Sequence, residues 1–103
     1  MGYGTISHMQ ATRVFYDKQV LPDGGVIEMV IWQLPKPAPD RPHGFKYRLY
    51  YGRNGVRLVG YDNERGKGDH RHRGTKEAAY SFKSIETLLA DFIHDVKRMR
   101  GES

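Results

Sequence analysis

The chain's densest chemistry lies between Tyr61 and Arg73, in the run Tyr-Asp-Asn-Glu-Arg-Gly-Lys-Gly-Asp-His-Arg-His-Arg. Two histidines, four cations, three carboxylates and two glycines fill its thirteen residues, and nothing apolar follows the tyrosine. So polar a segment belongs at the surface, where Gly66 and Gly68 let the backbone enter conformations that a Cβ disfavours. Histidine titrates near neutrality, and His70 and His72, two apart in an extended segment, project to the same side. One phosphate can therefore meet both. A ribonuclease working without metal needs a base for the 2′-hydroxyl proton, an acid for the leaving 5′-oxygen and cations for the developing charge. His70 and His72 could fill the first two roles in either order, with Lys67, Arg71 and Arg73 as cations and Asp62 or Asp69 orienting an imidazole. No position suggests a serine or cysteine nucleophile.

Two other readings compete. His-x-His with Asp62 or Asp69 also suits zinc or manganese, although Arg71 and Arg73 would repel a cation, and on balance no metal or other cofactor is expected. A solvated charged connection would need no chemistry at all. Gly66-Lys67-Gly68 lacks the glycine spacing and the Lys-Ser/Thr pair of a phosphate-binding P-loop.

Charge is concentrated around the same run. The chain of 103 residues has a net charge of +5, yet residues 41–76 carry ten Lys/Arg against three Asp/Glu, a local +7, while the segments before and after each come to −1. Locally dense cations suit a polyanion such as RNA, and a merely solvated basic face would look the same.

The elements that must hold this run can be placed from periodicity. Thr12 to Val20 favours strand, Pro22-Asp23-Gly24-Gly25 is turn chemistry, and Val26 to Leu34 is nearly all apolar, which predicts a hairpin whose second strand buries both faces. Pro35, Pro37, Pro39 and Pro42 remove backbone donors and predict an extended connection. Phe45 to Tyr51 alternates, and Asn54-Gly55 predicts a type I′ turn into a further strand. A plain two-residue turn would put Tyr47, Leu49 and Tyr51 inside, and Lys46, Arg48, Tyr50, Arg57 and Tyr61 outside. Cations interleaved with rings hold single-stranded nucleic acid by charge and stacking, so these five, with Arg65 and Arg73, form the expected nucleic-acid surface. Ordinary cross-strand packing explains the same alternation.

Ala78 to Phe82 can form a fifth strand. Ser84 then caps a helix in which Ile85, Leu88, Leu89, Phe92, Val96 and Met99 recur at helical spacing, with Asp91, His94, Asp95, Lys97 and Arg98 on the polar side and Gly101 at its end. The expected fold is α+β: an antiparallel sheet of four to five strands in two hairpins, with one C-terminal helix packed on one face. Ser7-His8-Met9 reads as a junction before a native start, so residues 1–9 are taken as an expression leader or frayed terminus and 10–103 as one domain. With no cysteine and no apolar run near membrane length, a soluble cytoplasmic protein is expected.

Val26 to Pro35, His43-Gly44-Phe45-Lys46-Tyr47-Arg48-Leu49, and above all Leu58-Val59-Gly60 with the polar run through His72, resemble the TumE family of small prokaryotic proteins over roughly Ala11 to Arg100. The resemblance implies the toxin of a two-gene toxin–antitoxin module, usually encoded beside a helix-turn-helix antitoxin. It brings no settled catalytic mechanism; cleavage of RNA is an expectation from the loop and the charge map, and a binding module that holds RNA or a protein through the same residues is the alternative. Acidic side chains of the antitoxin are expected to cover the basic run. Self-association into a homodimer is left open.

Overall fold

In a computed structural model, which describes residues 11–64 and 66–102, six strands form one antiparallel sheet in chain order. Residues 1–9, expected to be a leader or frayed terminus, and Arg65 lie outside the described residues. Strands β1 (Thr12–Val20) and β2 (Val26–Gln33) turn at Gly24, φ +86°, where Asp23 Oδ1 accepts the N–H of Gly25 at 2.9 Å. Strands β3 (Phe45–Arg53) and β4 (Val56–Asp62) turn at Asn54 and Gly55, whose φ values of +55° and +75° are those a type I′ turn requires.

The last hairpin is the main departure from the expected four to five strands. Strand β5 (His70–Arg73) comes from the run read as loop, and β6 (Lys76–Ala79) lies earlier than the expected Ala78–Phe82. Side-chain polarity concealed β5. A ladder uses backbone N–H and C=O groups, and β4 offers a free edge to any extended segment that follows it. Strand β2 is interior, as expected, but only Ile27, Met29 and Ile31 are buried, while Val26, Glu28, Val30 and Trp32 are half-buried on the opposite face. Among the described residues no second layer covers that face.

The register contains the second correction. Arg53 pairs with Val56 and Gly52 with Arg57, as a plain two-residue turn dictates, but Tyr51 then pairs with Val59 and leaves Leu58 over. This bulge moves every later β4 side chain to the other face. Tyr61 stands opposite Leu49 rather than Arg48 and points inward, while Gly60 and Asp62 point outward. The carbonyl freed at Leu58 accepts the N–H of Gly74 at 2.8 Å and so supports the β5–β6 turn.

Helix α1 (Ile85–Met99) starts at Ser84, whose Oγ accepts the N–H of Thr87 at 3.0 Å. It ends in a Schellman motif, with Gly101 at φ +76° and the N–H of Glu102 donating to the carbonyl of Lys97. Leu88, Phe92 and Val96 meet Tyr47, Leu49, Tyr51, Val59 and Tyr61 of the inner face. Burial of a side chain the size of Leu88 or Phe92 contributes about 1.5–3 kcal/mol. Asp95, expected on the solvated side, is only 6% exposed. Among the described residues no helix is long and apolar enough to cross a membrane.

Candidate functional site

Alternation along β5 sorts the polar run into two faces. His70 and His72 lie on the open face, whereas Arg71 and Arg73 lie on the helix side. Two register rows cross the open face: Arg48, Asp62, His70 and Ala79 form one, and Tyr50, Gly60, His72 and Glu77 form the other. Lys46 stands one pair further along, opposite Trp32. The Arg48 guanidinium lies 5.3 Å from the centre of the Tyr50 ring, within cation–π range.

Gly60 makes the middle of this face shallow. A Cβ there would come within 2.8 Å of Arg57 Cδ, so the missing side chain is what allows Arg57 to cross. Arg57 Nη2 ends 3.1 Å from Nδ1 of His72. A guanidinium only donates, so this nitrogen of His72 carries its lone pair and the ring proton sits on Nε2. His70 has the opposite surroundings. Its Nε2 is 2.7 Å from the carbonyl of Lys67, and its Nδ1 is 3.3 Å from Oε2 of Glu77. Two acceptors facing two ring nitrogens fit an imidazole that is protonated at both. Glu77 Oε2 also lies 3.9 Å from Nε2 of His72, and so sits between the two rings.

Several residues singled out from the sequence lie elsewhere. Tyr61 is buried and donates to Asp95 Oδ2 at 2.5 Å; burial first, and that carboxylate second, hold its phenol above the ordinary tyrosine range. It cannot stack on a base. Arg71 and Arg73 stand behind the sheet, each 3.9 Å from the Asp95 carboxylate. Asp69 orients an imidazole, but that of His43: its Oδ2 lies 3.0 Å from His43 Nε2 and accepts the Tyr47 hydroxyl at 2.7 Å. Burial and this carboxylate raise the Tyr47 phenol as well. Lys67 contributes its carbonyl to His70, while its ammonium is exposed 4.0 Å from Glu64. Arg65 lies outside the described residues. Asp62 shares the His70 row.

Three contributors escaped sequence reasoning. His43 accepts the N–H of Phe45 on Nδ1, donates from Nε2 to Asp69 and packs its ring 4.0 Å from that of Phe82, so it pins the start of β5 to the proline-rich connection. No local pattern links it to a residue 26 positions away. Asn63 prolongs the β3–β4 ladder by side chain, accepting from the N–H of Tyr47 at 2.9 Å and donating to the carbonyl of Phe45 at 2.8 Å. Glu77 follows directly from the β5–β6 hairpin once Gly74, φ +62°, is recognised as its turn. No group of three or more His, Cys, Asp or Glu side chains suited to a metal ion occurs among the described residues.

Compared with known proteins, residues 3–100 match the model of a family described as Toxin TumE. No curated protein and no solved structure matches.

Proposed function

From the membership of this chain in the TumE toxin family, we propose that it inhibits growth in the cytoplasm as a ribonuclease whose open sheet face binds RNA and whose His72 and His70 act as base and acid. The observation that carries this reading is the opposite surroundings of two imidazoles on one face: a donor against His72, and acceptors against both nitrogens of His70. An RNA phosphate draws Arg57 to itself and frees Nδ1 of His72 to take the 2′-hydroxyl proton. The 2′-oxygen then bonds to phosphorus, the bond from phosphorus to the 5′-oxygen breaks, and His70 delivers its Nδ1 proton to that leaving oxygen. Arg57 and Arg48 offset the charge on the phosphate, and Glu77 holds the His70 ring until the leaving oxygen displaces its carboxylate from Nδ1 and takes the proton there. The products are a 2′,3′-cyclic phosphate and a 5′-hydroxyl, with no step that needs a metal ion. A helix-turn-helix antitoxin keeps the activity in check.

End-group analysis of RNA incubated with the purified chain tests this. Cyclic phosphate ends that vanish in both histidine variants are expected; other ends, or unaltered cleavage by the variants, would refute the assignment. A second reading has its own support. His70 and His72 are only 23% and 14% exposed and three of their four ring nitrogens have close partners, which suits a face that holds RNA or a protein without cutting it.

A further inference from the structure

Behind the sheet, β5 and α1 border a polar cleft of 330 Å³ that the proposed chemistry leaves unused. Arg71 and Arg73 line it from the strand; Asp91, His94, Asp95 and Arg98 line it from the helix. Its two carboxylates are already engaged, Asp95 by the Tyr61 hydroxyl and Asp91 by the Tyr80 hydroxyl at 2.7 Å. Its cations keep hydrogen-bond donors to spare, although Arg71 also lies 5.8 Å from the centre of the Tyr61 ring. Arg71 and Arg73 stand 3.9 Å from Asp95, close enough to balance its charge but beyond hydrogen-bond reach. The side chains of His94 and Arg98 make no hydrogen bond or ion pair among the described residues. A second cleft of 360 Å³ shares both and runs on to Lys97 and Glu102, so unspent donors continue along the last turns of the helix.

We propose that this cleft is the antitoxin's docking site and takes an acidic side chain of that partner between Arg73, His94 and Arg98. Charge pattern selects a protein over RNA. The two clefts together present Arg71, Arg73, Lys97 and Arg98 against Asp91, Asp95 and Glu102. A nucleic acid offers only regularly spaced negative charge, which those three carboxylates oppose; a protein segment bearing both signs complements them. Donors left unsatisfied beside a buried carboxylate gain most from a partner that desolvates them. The site lies on the reverse of the strand that carries His70 and His72, so the antitoxin can be held without covering them. The proposal rests on membership of the toxin family alone and stands whether or not the open face cuts RNA.

Isothermal titration of the cognate antitoxin into the purified chain, the Arg98→Glu variant and the Arg98→Glu/His94→Ala double variant tests it, with a short single-stranded RNA titrated in parallel. Antitoxin affinity should fall about tenfold or more with the charge reversal, because it places like charge against the docked carboxylate. RNA affinity and the thermal melt should stay at wild-type values. Unchanged antitoxin affinity in the double variant overturns the proposal, and so does any loss of RNA affinity in a natively folded variant. If the reversal disturbs folding, Arg98→Gln removes the cation without adding charge, and an antitoxin affinity equal to wild type would then overturn it.

Discussion

Arg57 reaches across Gly60 and ends 3.1 Å from Nδ1 of His72, so a residue of one hairpin fixes which nitrogen of an imidazole on the next carries the proton. The cation placed there has two uses. It keeps His72 in a proton-accepting state, and it is the group a phosphate would attract first.

Replacement of His70 or His72 by alanine should remove growth inhibition and lower RNA cleavage about 10²- to 10⁴-fold, the usual effect of losing one acid–base partner. The fold should persist, since neither residue belongs to the apolar core. Cleavage by the wild-type chain should survive EDTA. Full toxicity of both variants would leave a binding module as the reading.

Binding of RNA should weaken as salt rises, and Arg48→Ala with Arg57→Ala should both weaken it and flatten that dependence, because each phosphate contact contributes to the slope. Tyr61→Phe supplies the contrast. It should leave RNA affinity unaltered while destabilising the fold by about 1–3 kcal/mol, since a buried carboxylate loses its hydroxyl donor. An unchanged salt slope in the double arginine variant would remove the open face from RNA binding.

Asp69→Ala should destabilise the chain by about 1–3 kcal/mol, because it strips the acceptor from both the Tyr47 hydroxyl and His43 Nε2 in a part-buried setting. Cleavage should fall as well, since His70 follows directly in the chain and is positioned by that anchor. Chemical denaturation and RNA cleavage measured on the same preparation check both, and a variant with wild-type stability would show that the network is dispensable.

At alkaline pH the inner tyrosines should limit the fold. Tyr47, Tyr61 and Tyr80 are each raised above the ordinary phenol value, by burial first and then by a hydrogen-bonded carboxylate. A group raised in the folded state contributes stability that is whole below its unfolded value, about 10, and is lost as pH climbs through the folded one. An ultraviolet titration should therefore show Tyr47, Tyr61 and Tyr80 ionising only together with unfolding. Their early ionisation with the helix intact would contradict this.

Much of the scaffold could be read from residues alone. Asn54-Gly55 specified its turn, Ser84 its cap, and the spacing from Ile85 to Met99 its helix, because each signal is local and backed by backbone sterics or a periodic apolar face. What failed was non-local. A bulge at Leu58 leaves no composition cue, so Tyr61 was expected on the wrong face. Strand β5 bears four charged or titratable side chains and looks like loop until the free edge of β4 is taken into account. For the site, His70 and His72 were expected on one side of their own segment and Arg48 and Arg57 on the outer face of the β3–β4 hairpin; that the two sets share one face, like the contacts of His43 and Glu77, depends on pairings that only the folded hairpins bring about.

Helix α1 supplies one side of the core and is the last of the elements in chain order. During synthesis the meander emerges strand by strand, but Tyr47, Leu49, Tyr51, Val59 and Tyr61 have no lid until Leu88, Phe92 and Val96 have left the ribosome. Arg100 then fastens the lid, donating from Nη1 to Asp23 Oδ2 at 3.0 Å and to the Tyr51 hydroxyl at 3.2 Å. The inner face of the sheet therefore stays uncovered until late in synthesis, and the chain becomes a finished surface for any partner only when its helix has emerged.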